Sequence, residues 1–197
     1  MKKWEGPYPG TSKMDRRVEG NLEVVKKFVN LGVPKKQIFI SGHSCGGWAT
    51  LRFTAKYMNE VGGGISLLPA CFWNLSKKYK VKKVGYEKAM EKFHKKYPGM
   101  AGWRQEQIDL IKEGNAPILI FTHPMDHYEG LTSDWMDTVP NFKRVVVSET
   151  KKINGEKCKI AGSNWEEPVK DAHIIDFADC FMYYHPMIKE YIASRIK

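Results

Sequence analysis

Gln37-Ile38-Phe39-Ile40-Ser41-Gly42-His43-Ser44-Cys45-Gly46-Gly47-Trp48 is the stretch that decides the fold. Gln37 to Ser41 is a short apolar run set off by Gly32 and Pro34, the pattern of a buried strand. Trp48 to Met58, with Ala49, Leu51, Phe53 and Ala55, reads as a helix that closes before the Gly62-Gly63-Gly64 triplet. Between strand and helix lies G-x-S-x-G, as Gly42-His43-Ser44-Cys45-Gly46. The pentapeptide alone is a weak signal. Wedged between a strand and a helix it is a strong one, because that turn holds its serine in a strained backbone and pushes the hydroxyl out above the sheet. The glycines are then required on steric grounds, since side chains at Gly42 or Gly46 are expected to collide with the neighbouring strand and helix. The N–H of Cys45, at the start of the helix, is placed to donate to a developing oxyanion.

Outward from this turn the same alternation of elements repeats. Upstream, Asp15 to Leu31 follows a helical period through Val18, Leu22, Val25, Phe28 and Val29. Downstream, three more apolar runs read as strands: Ile65 to Leu68, Pro117 to Thr122, and Arg144 to Val147. Helical spacing appears at Tyr86, Met90, Phe93 and Tyr97, then from Arg104 to Lys112, around Leu131 to Asp137, and from about Ala178 to Ile196. In the last of these, Met182, Ile188, Ile192 and Ile196 are expected to form a core stripe. Short strands bare of alternation, each followed by a helix or a helix-bearing excursion, specify a mostly parallel sheet covered on both faces by helices. The class is α/β.

A chain of 197 residues fits one domain spanning 1–197. Hydrophobic residues make up 42% and charged residues 27%, which excludes a disordered or fibrous chain. No apolar run reaches the roughly 18 to 20 residues needed to cross a bilayer, and Met1-Lys2-Lys3-Trp4-Glu5-Gly6-Pro7 leads into no apolar segment. No membrane partner and no export signal are therefore expected, and the location is expected to be cytoplasmic. The net charge of +10 is local: Lys77, Lys78, Lys80, Lys82, Lys83, Lys88, Lys92, Lys95 and Lys96 face only Glu87 and Glu91. This lysine-rich helical insertion, at about 76–115, reads as a solvated face; with no recognised nucleic-acid module beside it, nucleic acid is not the expected partner. Cys45, Cys71, Cys158 and Cys180 show no C-x-x-C spacing, so neither a zinc knuckle nor a dense disulfide framework is indicated. They are expected to be mostly free thiols, with Cys45 a small packing residue and Cys158 with Cys180 the only pair worth testing.

From the Ser44 turn onward the chain resembles the α/β-hydrolase superfamily, and most closely its dienelactone-hydrolase-related members. In that family a serine, an acid and a histidine follow in this order, the acid just after a later strand and the histidine in the last loop before the terminal helix. Thr122-His123-Pro124-Met125-Asp126-His127 follows the third strand, so Asp126 matches the acid. Ala172-His173-Ile174-Ile175 precedes the terminal helix, so His173 matches the histidine, with Ala172 where the family usually has glycine. The resemblance covers roughly residues 6 to 197 and implies a serine hydrolase of carboxylic esters or similar small acyl compounds. Ser44 would be the nucleophile, His173 the base, Asp126 its orienting acid and the Cys45 N–H an oxyanion donor, with no metal or organic cofactor.

Several alternatives stay open on the residues alone. His185 competes as the base, and Asp134, Asp137 or Asp171 as the acid. His123, Asp126, His127 and Glu129 make a small set of conceivable metal ligands, though no further ligand accompanies them. Phe72, Trp73 and Trp103 suit either a substrate pocket or the core. The opening Gly6-Pro7-Tyr8-Pro9-Gly10 resembles the segment after the family's fourth strand, so the fold is expected to be an incomplete α/β-hydrolase fold without the early strands. The Ser44 strand would then lie at a sheet edge, whose unpaired N–H and C=O groups favour self-association. A catalytically silent fragment serving as a binding or assembly module is the competing reading.

Overall fold

The computed structural model describes residues 9–72, 75–147, 152–153, 156–157, 172–177 and 179–196. Four parallel strands form its main sheet: β1 (Phe39–His43), β2 (Gly63–Leu67), β3 (Ile118–Thr122) and β4 (Phe142–Val146), in the order β1-β2-β3-β4. Their registers pair Ser41 with Ile65, Ser66 with Ile120, and Phe121 with Val145. β1 runs two residues further than its apolar run suggests, because Gly42 and His43 still pair with Ser66 and Leu67. This carries Ser44 to the carboxyl end of the sheet, where side chains from several strands meet. Among the described residues β1 forms one edge of this sheet.

β3 is buried along its whole length and divides its side chains between two cores. Ile118 and Ile120 join the cluster built on Trp48, Leu51, Phe53 and Phe93, whereas Leu119 and Phe121 join Ile65, Val145, Phe181 and Tyr184. The strand period of two explains how a continuous apolar run serves both faces. Helix α1 (Pro9–Asn30) contributes Met14, Val18, Leu22 and Val25 to the first core. Phe28, which shares the expected period, is 48% exposed instead. Helix α2 (Cys45–Lys56) follows Ser44 directly and is buried from Gly47 to Ala55.

The lysine-rich segment folds as short helices α3 (Leu75–Lys78) and α4 (Val81–Val84), then α5 (Tyr86–Lys96) and α6 (Pro98–Lys112). α5 buries Ala89, Met90 and Phe93 and leaves Lys88, Lys92, Lys95 and Lys96 exposed. α6 begins earlier than expected because Pro98 occupies its first turn, where a missing N–H costs nothing.

Two expected helices are altered. Around Leu131 to Asp137 the chain forms two 3-10 turns, Gly130–Thr132 and Asp134–Thr138. The last helix is preceded by a 3-10 stretch, Asp179–Tyr184, so α7 covers only His185–Arg195. A 3-10 turn takes three residues rather than 3.6, which shifts the phase of the stripe. Met182 is consequently 62% exposed, while Ile188 and Ile192 still pack on the second core; Ile196, just past the end of α7, is 41% exposed. A two-stranded antiparallel ribbon, β5 (Lys152–Ile153) with β6 (Glu156–Lys157), and 3-10 turns at Lys35–Gln37 and Ile175–Phe177 complete the described elements. None of the described helices is long and apolar enough to cross a membrane.

Candidate active site

Ser44 stands between β1 and α2 with φ 56° and ψ −124°, a left-handed-side conformation that a non-glycine residue adopts only when its surroundings impose it. Its N–H donates to the Leu67 carbonyl at 3.0 Å, and its own carbonyl accepts from Trp48 at 3.0 Å and Ala70 at 3.1 Å. The turn is possible because Gly42 has no side chain: a Cβ there would lie 2.5 Å from both the carbonyl carbon and the oxygen of Gly46. The second collision expected from the sequence falls elsewhere. A Cβ on Gly46 would meet nothing within 4 Å, whereas one on Gly47 would lie 2.8 Å from the Leu67 carbonyl oxygen. Gly47 on α2, with Gly64 on β2, whose Cβ would lie 2.8 Å from the Thr54 methyl, therefore lets α2 approach β2.

The loop after β2 is fastened to this turn by a disulfide between Cys45 and Cys71. Cys45 is thus a half-cystine and not a free packing residue, which corrects the expectation of free thiols at these two positions. Cys158 lies outside the described residues, and the side chain of Cys180 does too. Disulfides persist in oxidising compartments and are rare in the cytosol, which leaves the cytoplasmic expectation without support from this chain. Cys45 is the first residue of α2, where the leading N–H groups of a helix have no carbonyl one turn back and point outward.

Asp126 sits in the loop after β3 and is 2% exposed. Its N–H donates to the His123 carbonyl, its carbonyl accepts from Gly130, and its Oδ1 accepts the Tyr128 N–H at 2.8 Å. Two neighbours hold that loop. His123, 2% exposed, takes the Met125 N–H on Nδ1 at 3.0 Å, and burial depresses its pKa. Beneath the loop, Arg104 of α6 grips Glu129 with Nε at 3.1 Å and Nη2 at 2.8 Å, and Nη2 also donates to the Thr132 carbonyl. The hydroxyl of Thr132 closes on the same carboxylate. Burial pushes the Glu129 carboxyl up, and Arg104 pulls against that shift.

His173, 7% exposed, lies between these two structures. Its Nδ1 is 2.8 Å from Asp126 Oδ2 and its Nε2 is 2.9 Å from Ser44 Oγ. The Tyr128 ring packs 4.3 Å from the imidazole, centroid to centroid. A carboxylate only accepts, so the proton of a neutral His173 sits on Nδ1, which leaves Nε2 to accept from the serine hydroxyl. Such an arrangement can raise the nucleophilicity of an alcohol by taking its proton as it attacks.

No family model matches the chain, and no curated protein matches it. Solved structures do. Naproxen esterase (carboxylesterase NP) from Bacillus subtilis superposes with a TM-score of 0.51 at 15% identity, covering 90% of this chain and 66% of that protein. A carboxylesterase of the ammonia-oxidizing thaumarchaeon Nitrososphaera gargenis gives a TM-score of 0.51 at 12% identity, covering 92% and 73%. The fold is that of the α/β-hydrolases. The chain spans about two thirds of the length of the first of these structures.

Within this α/β-hydrolase fold the sequence candidates separate clearly. Ser44, Asp126 and His173 come together, while His185 is exposed on α7 and His94 is exposed on α5. Asp134 and Asp137 pair with Arg144, and Asp171 lies outside the described residues. Phe72 and Trp103 belong to the first core, with their rings 4.5 Å apart; Trp73 lies outside the described residues. Among the described residues no three His, Cys, Asp or Glu side chains are grouped so as to hold a metal ion. The Arg104–Glu129 clamp has no signature in the sequence, since its partners are 25 residues apart on separate elements.

Proposed function

We propose that the chain is a serine hydrolase of carboxylic esters or similar small acyl substrates, of the dienelactone-hydrolase-related kind. The observation that carries this reading is the unbroken path from Ser44 Oγ to His173 Nε2 at 2.9 Å and from His173 Nδ1 to Asp126 Oδ2 at 2.8 Å. His173 takes the proton of Ser44 as the oxygen attacks the acyl carbonyl. Asp126 holds the imidazole in the Nδ1-protonated form and balances the imidazolium that results. The Cys45 N–H at the head of α2 donates to the oxyanion. His173 then gives its proton to the leaving alcohol, and water, activated by the same imidazole, releases the acyl group. The esterase activity named for the two similar structures is in keeping with this chemistry.

The competing reading, a silent module of the same fold, draws on the position of β1 at the edge of the sheet among the described residues. A fluorophosphonate probe separates the two. Labelling of Ser44 that disappears in Ser44→Ala and falls by orders of magnitude in His173→Ala supports the hydrolase. Absence of labelling in the folded parent chain, or its persistence in Ser44→Ala, overturns it and leaves the module.

A further inference from the structure

His43, the residue between the glycine and the serine of the turn, makes a contact that the proton path above does not use. Its Nε2 lies 2.7 Å from the backbone carbonyl oxygen of His173 and 3.5 Å from Asp176 Oδ1. The two rings stand 5.0 Å apart, so the contact runs beside the imidazole of His173 and leaves its Nε2 directed at Ser44. A backbone carbonyl oxygen only accepts, so the nitrogen 2.7 Å from it must carry a hydrogen. Nε2 of His43 is a donor whether the ring is neutral or charged.

We propose that His43 is a positioning residue that sets the spacing between Ser44 and His173. His43 is the last residue of β1 and precedes Ser44 directly, so its Cα moves with the serine. His173 and Asp176 are three residues apart, and Asp176 lies in the 3-10 turn Ile175–Phe177. The bond therefore ties the backbone of the proton acceptor to the backbone of the proton donor, across 130 residues of sequence. The Asp126 contact fixes how the His173 ring is rotated. It does not fix how far the segment carrying that ring stands from the Ser44 turn, and the His43 contact does. Asp176 Oδ1 lies 3.5 Å from the same nitrogen without a hydrogen bond; its side chain is 5% exposed, and burial raises its carboxyl pKa while the neighbouring His43 opposes that rise. Ile175, 1% exposed, anchors the same stretch in the second core.

This inference rests on the serine-hydrolase reading, and its test keeps the two apart. kcat and KM for a small activated ester are measured for the parent, His43→Phe and His43→Gln, together with fluorophosphonate labelling and thermal midpoints. Gln places an amide nitrogen where Nε2 stood, whereas Phe fills the space with no donor. The expected result is a loss of about 10- to 100-fold in kcat for His43→Phe, in keeping with the cost of a misplacement of up to an ångström, with KM changed less than about threefold. His43→Gln should recover most of that loss. If His43→Phe does not fold, His43→Ala with added imidazole supplies the same comparison, because the ring site is partly open to solvent. Equal kcat in parent and His43→Phe overturns the inference and leaves the hydrolase reading intact. So does a loss in His43→Gln as large as in His43→Phe, or a loss that tracks the thermal midpoints. A folded parent that neither turns over nor labels refutes the hydrolase reading itself, and this inference with it.

Discussion

Glu129→Gln tests whether the loop carrying Asp126 is held by a buried ion pair. Arg104 and Glu129 are 3% and 2% exposed at the side chain, and two parallel hydrogen bonds of 3.1 and 2.8 Å join them. The substitution keeps the shape and leaves an oxygen for one donor, but it strands a guanidinium that cannot give up its proton. Removing one partner of such a pair costs about 3–5 kcal/mol, because the survivor has already lost its water. In a chain of this size each kcal/mol lowers the midpoint by about 2–4 °C, so a fall of about 6–20 °C is expected. Urea unfolding followed by tryptophan fluorescence, with thermal scans beside it, measures the loss. The double variant Arg104→Met with Glu129→Leu removes both charges and should recover stability to within about 1 kcal/mol of the parent, since well-packed apolar groups replace buried pairs at little cost. A single variant within about 1 kcal/mol of the parent would refute the reasoning, as would a double variant no more stable than the single.

The remaining expectations concern the turn, the disulfide and the buried histidine. Gly42→Ala should destabilise the chain by about 1–3 kcal/mol and abolish Ser44 labelling, because its Cβ would press on backbone that cannot yield; Gly46→Ala, facing open space, should unfold within about 0.5 kcal/mol of the parent in the same urea titration. The Cys45–Cys71 bond spans 26 residues, which in the chain-entropy model is worth about 3.5 kcal/mol. Reductant should lower the urea midpoint of the parent accordingly and leave that of Cys71→Ser unchanged; a reductant effect of equal size in both would place the bond elsewhere. Burial depresses the His123 pKa, so below its unfolded value near 6.5 the unfolded chain binds a proton that the folded chain refuses. Its contribution to stability is present above that pH and is lost as pH falls, by at most about 1.4 kcal/mol per pH unit. Urea midpoints measured from pH 7 to 5 should decline less steeply in His123→Gln than in the parent.

Local spacing carried much of the fold. The apolar runs at Phe39, Ile65, Ile118 and Val145 are strands, and the glycine-bounded Ser44 turn stands between a strand and a helix. Such features are legible because strand and helix periods, glycine stereochemistry and proline geometry act over a few residues. Chain order and resemblance also singled out Asp126 and His173; the fold sets His173 against Asp126, 47 residues away along the chain, and against Ser44, 129 residues away. What only the tertiary structure decided depends on contacts between distant segments. Gly47, not Gly46, is the glycine pressed by a neighbour, because the carbonyl it meets belongs to β2. Cys45 finds Cys71 because the loop after β2 folds back over the turn, a direction that cysteine spacing does not encode. Met182 faces solvent because the backbone before α7 tightens to three residues per turn, which breaks the period that would put it in the core. The buried Arg104–Glu129 pair and the seat of His43 on the His173 carbonyl are likewise invisible along the chain. Each joins groups whose partners are defined only once the sheet has stacked its loops at one end.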